Sequence, residues 1–217
     1  MKRPGPLLTL LAGLVLGLSL LTIDATTSTT APTSPYRDRS PSPAPLRSTV
    51  SPAPAPAATP SRPPDGDYAG RTDDDAAAVA VSVRGGRAIA YFCDGRTQES
   101  WLKGDVNADG ALRLTGPHGT RLTGTLRDGA RIEGAVGVGG ERHAFTADRA
   151  EKPSGLWRAT ATVRSAKIDG GWIVLRDGSQ VGVLTRDGEP SPAPRVDPRT
   201  GAVTVDGQHL TARPATP

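Results

Sequence analysis

One cysteine, Cys93, stands in 217 residues, so no disulfide within the chain is available and the core must hold the fold by itself. Cys93 reads as a small strand residue beside a turn. The alternative is a free, reactive thiol, but no histidine or lysine adjoins it to favour the thiolate. Asparagine occurs once, at Asn107, and lysine four times against 22 arginines, a bias of GC-rich coding and not of function. Basic runs are missing too. Residues 66–217 carry 20 Lys and Arg against 19 Asp and Glu, which argues against nucleic acid as a partner. No Gly-x-Ser-x-Gly marks a nucleophile, no glycine-rich loop is built for phosphate, and His118, His143 and His209 show no zinc spacing. On this reading there is no catalytic residue, no metal ligand and no cofactor, and the binding residues stay unknown.

What is present begins at the N-terminus. Lys2 and Arg3 precede LLTLLAGLVLGLSLL at residues 7–21, a run of 15 residues. As a helix it rises about 22 Å, short of a hydrocarbon core of about 30 Å. Residues 1–25 therefore read as a signal peptide, with Ala25 as the candidate cleavage residue. Ile23 departs from the small residue preferred two places before the cut, which leaves open an uncleaved signal anchor, a transmembrane helix. Either way the remainder is expected outside the cytoplasm, secreted or anchored, with membrane contact only through this segment.

Residues 26–65 change character. Eleven prolines fall between Pro32 and Pro64 among Ser, Thr and Ala, and this stretch reads as a disordered, semi-rigid linker. About forty such residues could reach on the order of 100 Å, enough to hold a domain away from a membrane.

From residue 76 onward, Gly-Gly and Asp-Gly pairs recur between short alternating segments, and no 3.6-residue apolar period persists. The expectation is an all-β antiparallel meander of about ten short strands, with a small barrel favoured over a two-layer sandwich. It would occupy residues 66–187, and residues 188–217 would add a Pro-rich loop, a terminal hairpin and a tail. Turn arithmetic supplies registers. Gly85-Gly86 sets Val83 opposite Ala88, Val81 opposite Ala90 and Val79 opposite Phe92, with Cys93, Ile89 and Tyr91 on the other face. The turn at 107–110 pairs Leu102 with Leu114 and Gly104 with Leu112. The turn at 116–119 pairs Leu114 with Leu122. A five-residue loop at Asp128-Gly129 pairs Leu126 with Ile132, Gly124 with Gly134 and Leu122 with Val136. Gly139-Gly140 sets Phe145 opposite Gly134 and His143 opposite Val136, where His143 reads as a hydrogen-bonded core residue. Asp177-Gly178 pairs Val174 with Val181 and Trp172 with Val183. Gly104, Gly124 and Gly134 recur on the inward face, which implies strong bending or the lining of a pocket.

Residues 105–110, Asp-Val-Asn-Ala-Asp-Gly, match the first half of a calcium loop. Arg113 at the ninth position and Gly116 at the twelfth break the pattern, so a hairpin turn is the expected structure. The run Asp73-Asp74-Asp75 reads as a solvated lead-in before the first strand.

DYAGRT at residues 67–72, AVAVSVRGGRAIAYFCDG at 78–95, ESWLKG at 99–104 and GGWIVLRDGSQVGVL at 170–184 resemble a group of exported actinobacterial proteins of unassigned function. The resemblance spans most of residues 67–184. It implies location and fold, and no functional residue follows from it. The expected role is a non-catalytic binding or interaction module of the cell envelope, its partner an envelope protein, glycan or lipid. Two alternatives stand beside it: a barrel carrying an apolar ligand, and an enzyme with a site assembled from distant residues. Fusing residues 1–66 to a reporter active only outside the cytoplasm should give activity; a silent but well-expressed fusion would refute export.

Overall fold

The computed structural model describes residues 62–217, so Ala25, the apolar run and most of the linker lie outside the described residues. Among the described residues no α-helix occurs, and the only helical element is a single 3-10 turn at Pro117–Gly119. Eight strands follow one another as β1 (Gly66–Thr72), β2 (Ala78–Arg84), β3 (Arg87–Cys93), β4 (Glu99–Val106), β5 (Ala111–Thr115), β6 (Arg121–Arg127), β7 (Arg131–Val138) and β8 (Glu141–Ala150). They form a closed antiparallel barrel in chain order, sealed where β8 pairs with β1 from Asp67↔Ala150 to Thr72↔Phe145.

Closure follows from alternation. Each strand turns every second side chain inward, and eight strands make a barrel just narrow enough for those side chains to fill. Val79, Val81, Phe92, Leu102, Leu112, Leu114, Leu122, Ile132, Val136 and Phe145 are each no more than 2% exposed and form one cluster. Fully burying a side chain of this kind stabilises the fold by about 1.5–3 kcal/mol. Gly104 and Gly134 mark close backbone approach and not a pocket. A methyl group on Gly104 would overlap the carbonyl oxygen of Arg113, and one on Gly134 that of Thr123, in each case on the neighbouring strand.

Beyond the barrel come β9 (Gly155–Val163), β10 (Ala166–Val174), β11 (Gln180–Arg186) and β12 (Glu189–Pro192), then a hairpin of β13 (Ala202–Val205) and β14 (Gln208–Thr211), and a two-residue β15 (Arg213–Pro214). β12-β11-β10-β9-β15 make a five-stranded sheet. One face lies on the outside of the barrel: Leu156, Ile173, Leu175 and Val183 pack with Ala69, Ala78, Ala80, Ile89, Tyr91 and Cys93. The other face carries Trp157, Trp172, Val174 and Leu184 under Val196, Val203, Val205 and Ala212. Trp172 Nε1 donates to Pro194 O at 2.7 Å, and the Gln180 side chain brackets Val196 by donating to its carbonyl (2.8 Å) and accepting from its amide (3.0 Å).

The registers expected at Gly85-Gly86, at 116–119, at Asp128-Gly129 and at Gly139-Gly140 are those found. The all-β barrel expected from the sequence is the one found; it closes after eight strands, and β9 starts a second sheet. Four expectations need correction. Asp73-Asp74-Asp75 does not precede the first strand; it is the turn between β1 and β2. Across residues 107–110 the pairs are Gly104↔Leu114 and Val106↔Leu112, two places from the expected register. A shift of two keeps every side chain on its own face, so alternation could not exclude it. Across Asp177-Gly178 the pairs are Ile173↔Val181 and Trp172↔Gly182, one place away. There Leu175 N donates to Ser179 O and Gly178 N to Leu175 O, a longer loop with Gly178 at φ +79°. Both faces of β10 are buried, so the apolar pattern does not fix the register. Finally, the first four residues of the Pro-rich loop form β12, an edge strand, the one place in a sheet that tolerates Pro190 and Pro192.

Gly104→Ala should cost about 2–3 kcal/mol in urea unfolding, because paired backbones must separate. Gly119→Ala, where nothing lies within 4 Å, should cost about 1 kcal/mol through its φ of +76° alone.

Candidate functional site

With the barrel filled, the groups able to do chemistry sit at its rims and along its seam with the second sheet. One rim is built from the turns at 73–77, 94–98, 116–120 and 139–140. Between the first two and the start of β8 lies an open cleft of about 510 Å³, floored by Phe92 and Ala77 and walled by Arg71, Asp75, Arg96, Gln98, Glu141 and His143. Its turns are held by their own side chains. Asp94 Oδ1 accepts from the amides of Arg96 (2.8 Å), Thr97 (3.0 Å) and Gln98 (2.9 Å). Thr72 Oγ1 accepts from Ala77 N at 3.0 Å and donates to Ala77 O at 3.1 Å.

The centre of this rim is His143, opposite Val136 on β7 as expected, with 12% of its side chain exposed. Its Nδ1 lies 2.9 Å from Asp74 Oδ2, and its ring packs 5.6 Å from that of Phe92. The Asp74 carboxyl is held low, at about 2, by the Thr72 hydroxyl, the His143 ring and the Ala76 amide. The Thr72 hydroxyl gives its proton to Ala77 O, so the ring and the amide are the partners that geometry supports directly. Asp74 is therefore ionised at neutral pH, and a neutral His143 carries its proton on Nδ1 to meet it. The other nitrogen, Nε2, is buried without a hydrogen-bond partner, 3.8 Å from Glu141 Oε2. The sequence reading missed this pair. The two residues are 69 apart, and the Asp run was assigned to a lead-in, so nothing local joined them.

A second cluster lies in the seam. Tyr91 OH donates to Glu99 Oε2 at 2.7 Å, and Arg158 holds Asp169 through two bonds of 2.9 and 2.6 Å. Trp101 meets both pairs, with the Tyr91 ring 4.3 Å from its centroid and the Arg158 guanidinium 4.4 Å over its ring. Burial raises the Glu99 carboxyl above its ordinary value; the Tyr91 hydrogen bond opposes this, the Asp169 charge adds to it, and Arg158 opposes it again. Burial likewise raises the Tyr91 hydroxyl and pushes the Cys93 thiol to about 12, which disfavours the thiolate and fits Cys93 as a packed strand residue.

The calcium-like segment is a hairpin turn: Asn107 N donates to Ala111 O, Gly110 N to Asn107 O, and Asp109 Oδ1 accepts from Ala111 N at 3.1 Å. His118 sits at a turn tip with φ of 54°, and His209 bonds Thr204 Oγ1 at 3.1 Å on the terminal hairpin. The structure brings none of the three histidines together. Among the described residues no three His, Cys, Asp or Glu side chains are grouped to hold a metal. No protein-family model matches the chain, and neither the curated proteins nor the solved structures contain a match.

A carboxyl with a raised folded value binds its proton more tightly in the folded state, so its contribution to stability is full below the unfolded value and is lost as pH rises. The folded protein should therefore gain stability as pH falls from 7.5 to 5, through Glu99. Asp74 has the opposite sign, but its loss begins only near and below an ordinary carboxyl value of about 3.9. Urea unfolding at both pH values should show the gain in the native protein and a smaller one in Glu99→Gln, which keeps an acceptor for Tyr91.

Proposed function

We propose that the protein is an exported, non-catalytic binding module of the cell envelope that takes a charged segment of an envelope protein in the cleft at the barrel rim. The observation that carries this is the division between a filled interior and an open cleft with both signs of charge. An apolar ligand would need an internal cavity of at least about 300 Å³, and side chains of the eight strands occupy that space. Arg96, on the turn after β3, and Glu141, at the start of β8, stand exposed along the cleft, suited to a chain that presents both charges. A neutral glycan would call for a free aromatic face, and Trp101 is already engaged by the Tyr91 ring and the Arg158 guanidinium. The N-terminal apolar run and the resemblance to exported proteins support the location.

The Asp74–His143 pair favours a second reading, an enzyme with a site assembled across the rim. A general base must come within about 2.6–3.2 Å of the proton it removes. His143 Nε2 is shut off from solvent, which weighs for binding over catalysis.

The test is affinity capture from an envelope extract with the tagged full chain, cross-linked and read by mass spectrometry. One envelope protein should be enriched and should drop at least tenfold with Arg96→Glu, while Arg127→Glu on the far rim changes nothing. Equal capture by Arg96→Glu would overturn the cleft assignment. Glycan alone or lipid alone would overturn the ligand class, and turnover of the captured species would establish the enzyme.

A further inference from the structure

His143 is held on one side and unanswered on the other. Nδ1 is 2.9 Å from Asp74 in the β1–β2 turn, while Nε2 is 3.8 Å from the carboxylate of Glu141 at the start of β8. With the ring neutral and its proton on Nδ1, Nε2 and the Glu141 oxygen are two acceptors facing each other, and no bond forms between them. Packing against Phe92 keeps the ring from swinging into water. Once Nε2 takes up a proton, the donor so formed can be met only by Glu141, whose side chain is 78% exposed. Closing 3.8 Å to a charge-assisted bond of about 2.8 Å is a small rotation of that side chain.

The other charges facing the ring leave this exchange to Asp74 and Glu141. Arg71 is taken up by Asp75 at 3.0 Å, and Asp94 by three backbone amides. Arg96, also on the cleft wall, opposes a positive ring and is exposed to solvent.

We infer that His143 is a pH-operated clasp at the cleft: neutral, it holds Asp74 and leaves the Glu141 carboxylate to the ligand; protonated, it holds Asp74 and Glu141 together and withdraws that carboxylate. Ligand binding at the rim is then tight while the ring is neutral and weakened on acidification, once the ring takes up its second proton. This regulation rests on the cleft being the binding face, whereas the clasp itself does not.

The experiment is nuclear magnetic resonance of the isotopically labelled full chain between pH 8 and 5, without any ligand. The His143 ring should carry its proton on Nδ1 at pH 8. The Glu141 side-chain carbon should show two inflections, its own and a second coincident with the ring. In His143→Gln the second inflection should vanish. Should that variant fail to fold, Glu141→Gln serves, and its protonated Nε2–H should exchange with water at least fivefold faster than in the native chain. A single Glu141 inflection in the native chain, or unchanged exchange in Glu141→Gln, overturns the clasp and leaves the binding reading untouched. A failed capture experiment with both inflections present overturns the binding reading alone.

Discussion

A wall with two dry faces governs this fold. In β2 and β3 nearly every residue from Ala78 to Cys93 outside the Arg84–Arg87 turn is buried, whichever way its side chain points. Val79, Val81 and Phe92 face the barrel core, while Ala78, Ala80, Tyr91 and Cys93 face the second sheet. The alanines on the outer face keep the two layers close. A larger side chain there would separate the sheet from the barrel, and a polar one would sit without a partner in a dry seam. The same condition shapes the chemistry of the seam, where the buried Tyr91 hydroxyl takes the half-buried Glu99 carboxyl as its partner.

The rim has the opposite character. Its turns are stabilised by side chains folding back on their own backbone, as at Asp94 and Thr72, which leaves the wall residues Arg96 and Glu141 unspent. In the proposed role, the barrel supplies rigidity and the rim supplies recognition, with His143 joining them from a strand that belongs to both.

Alternation and turn chemistry made the barrel legible, because one face of β5 to β8 is apolar and the other polar, so only one register buries the apolar set. The same reasoning misplaced the Val106 and Ile173 pairs. At Val106 a two-residue slip preserves the pattern, and at Ile173 both faces are apolar and the pattern is silent. β1 went unread because its run of Gly66, Asp67, Tyr68, Ala69 and Gly70 is sparse in large apolar residues, and closure with β8 buries it all the same. The candidate site was legible in parts: His143 was placed on the correct strand face, but its partner Asp74 comes from a turn that only barrel closure brings near. The diagonal approach of Tyr91 to Glu99, by contrast, was within reach of the β3–β4 register, Cys93↔Glu99 and Tyr91↔Trp101.

Seven of the eight pairings around the barrel join strands adjacent in the chain, and the eighth, β1 with β8, spans most of it. Loop closure costs entropy that grows with the logarithm of loop length, so bridging the 68 residues from 73 to 140 costs about 2 kcal/mol more than bridging the five-residue turn at 73–77. The hairpins can assemble one upon another as local events, but the cylinder comes into being in one step, when the last strand reaches the first. Without the β1–β8 pairing the eight strands would leave two bare edges and an uncovered core. β8, which also carries His143, is thus the strand on which the enclosure of the core depends.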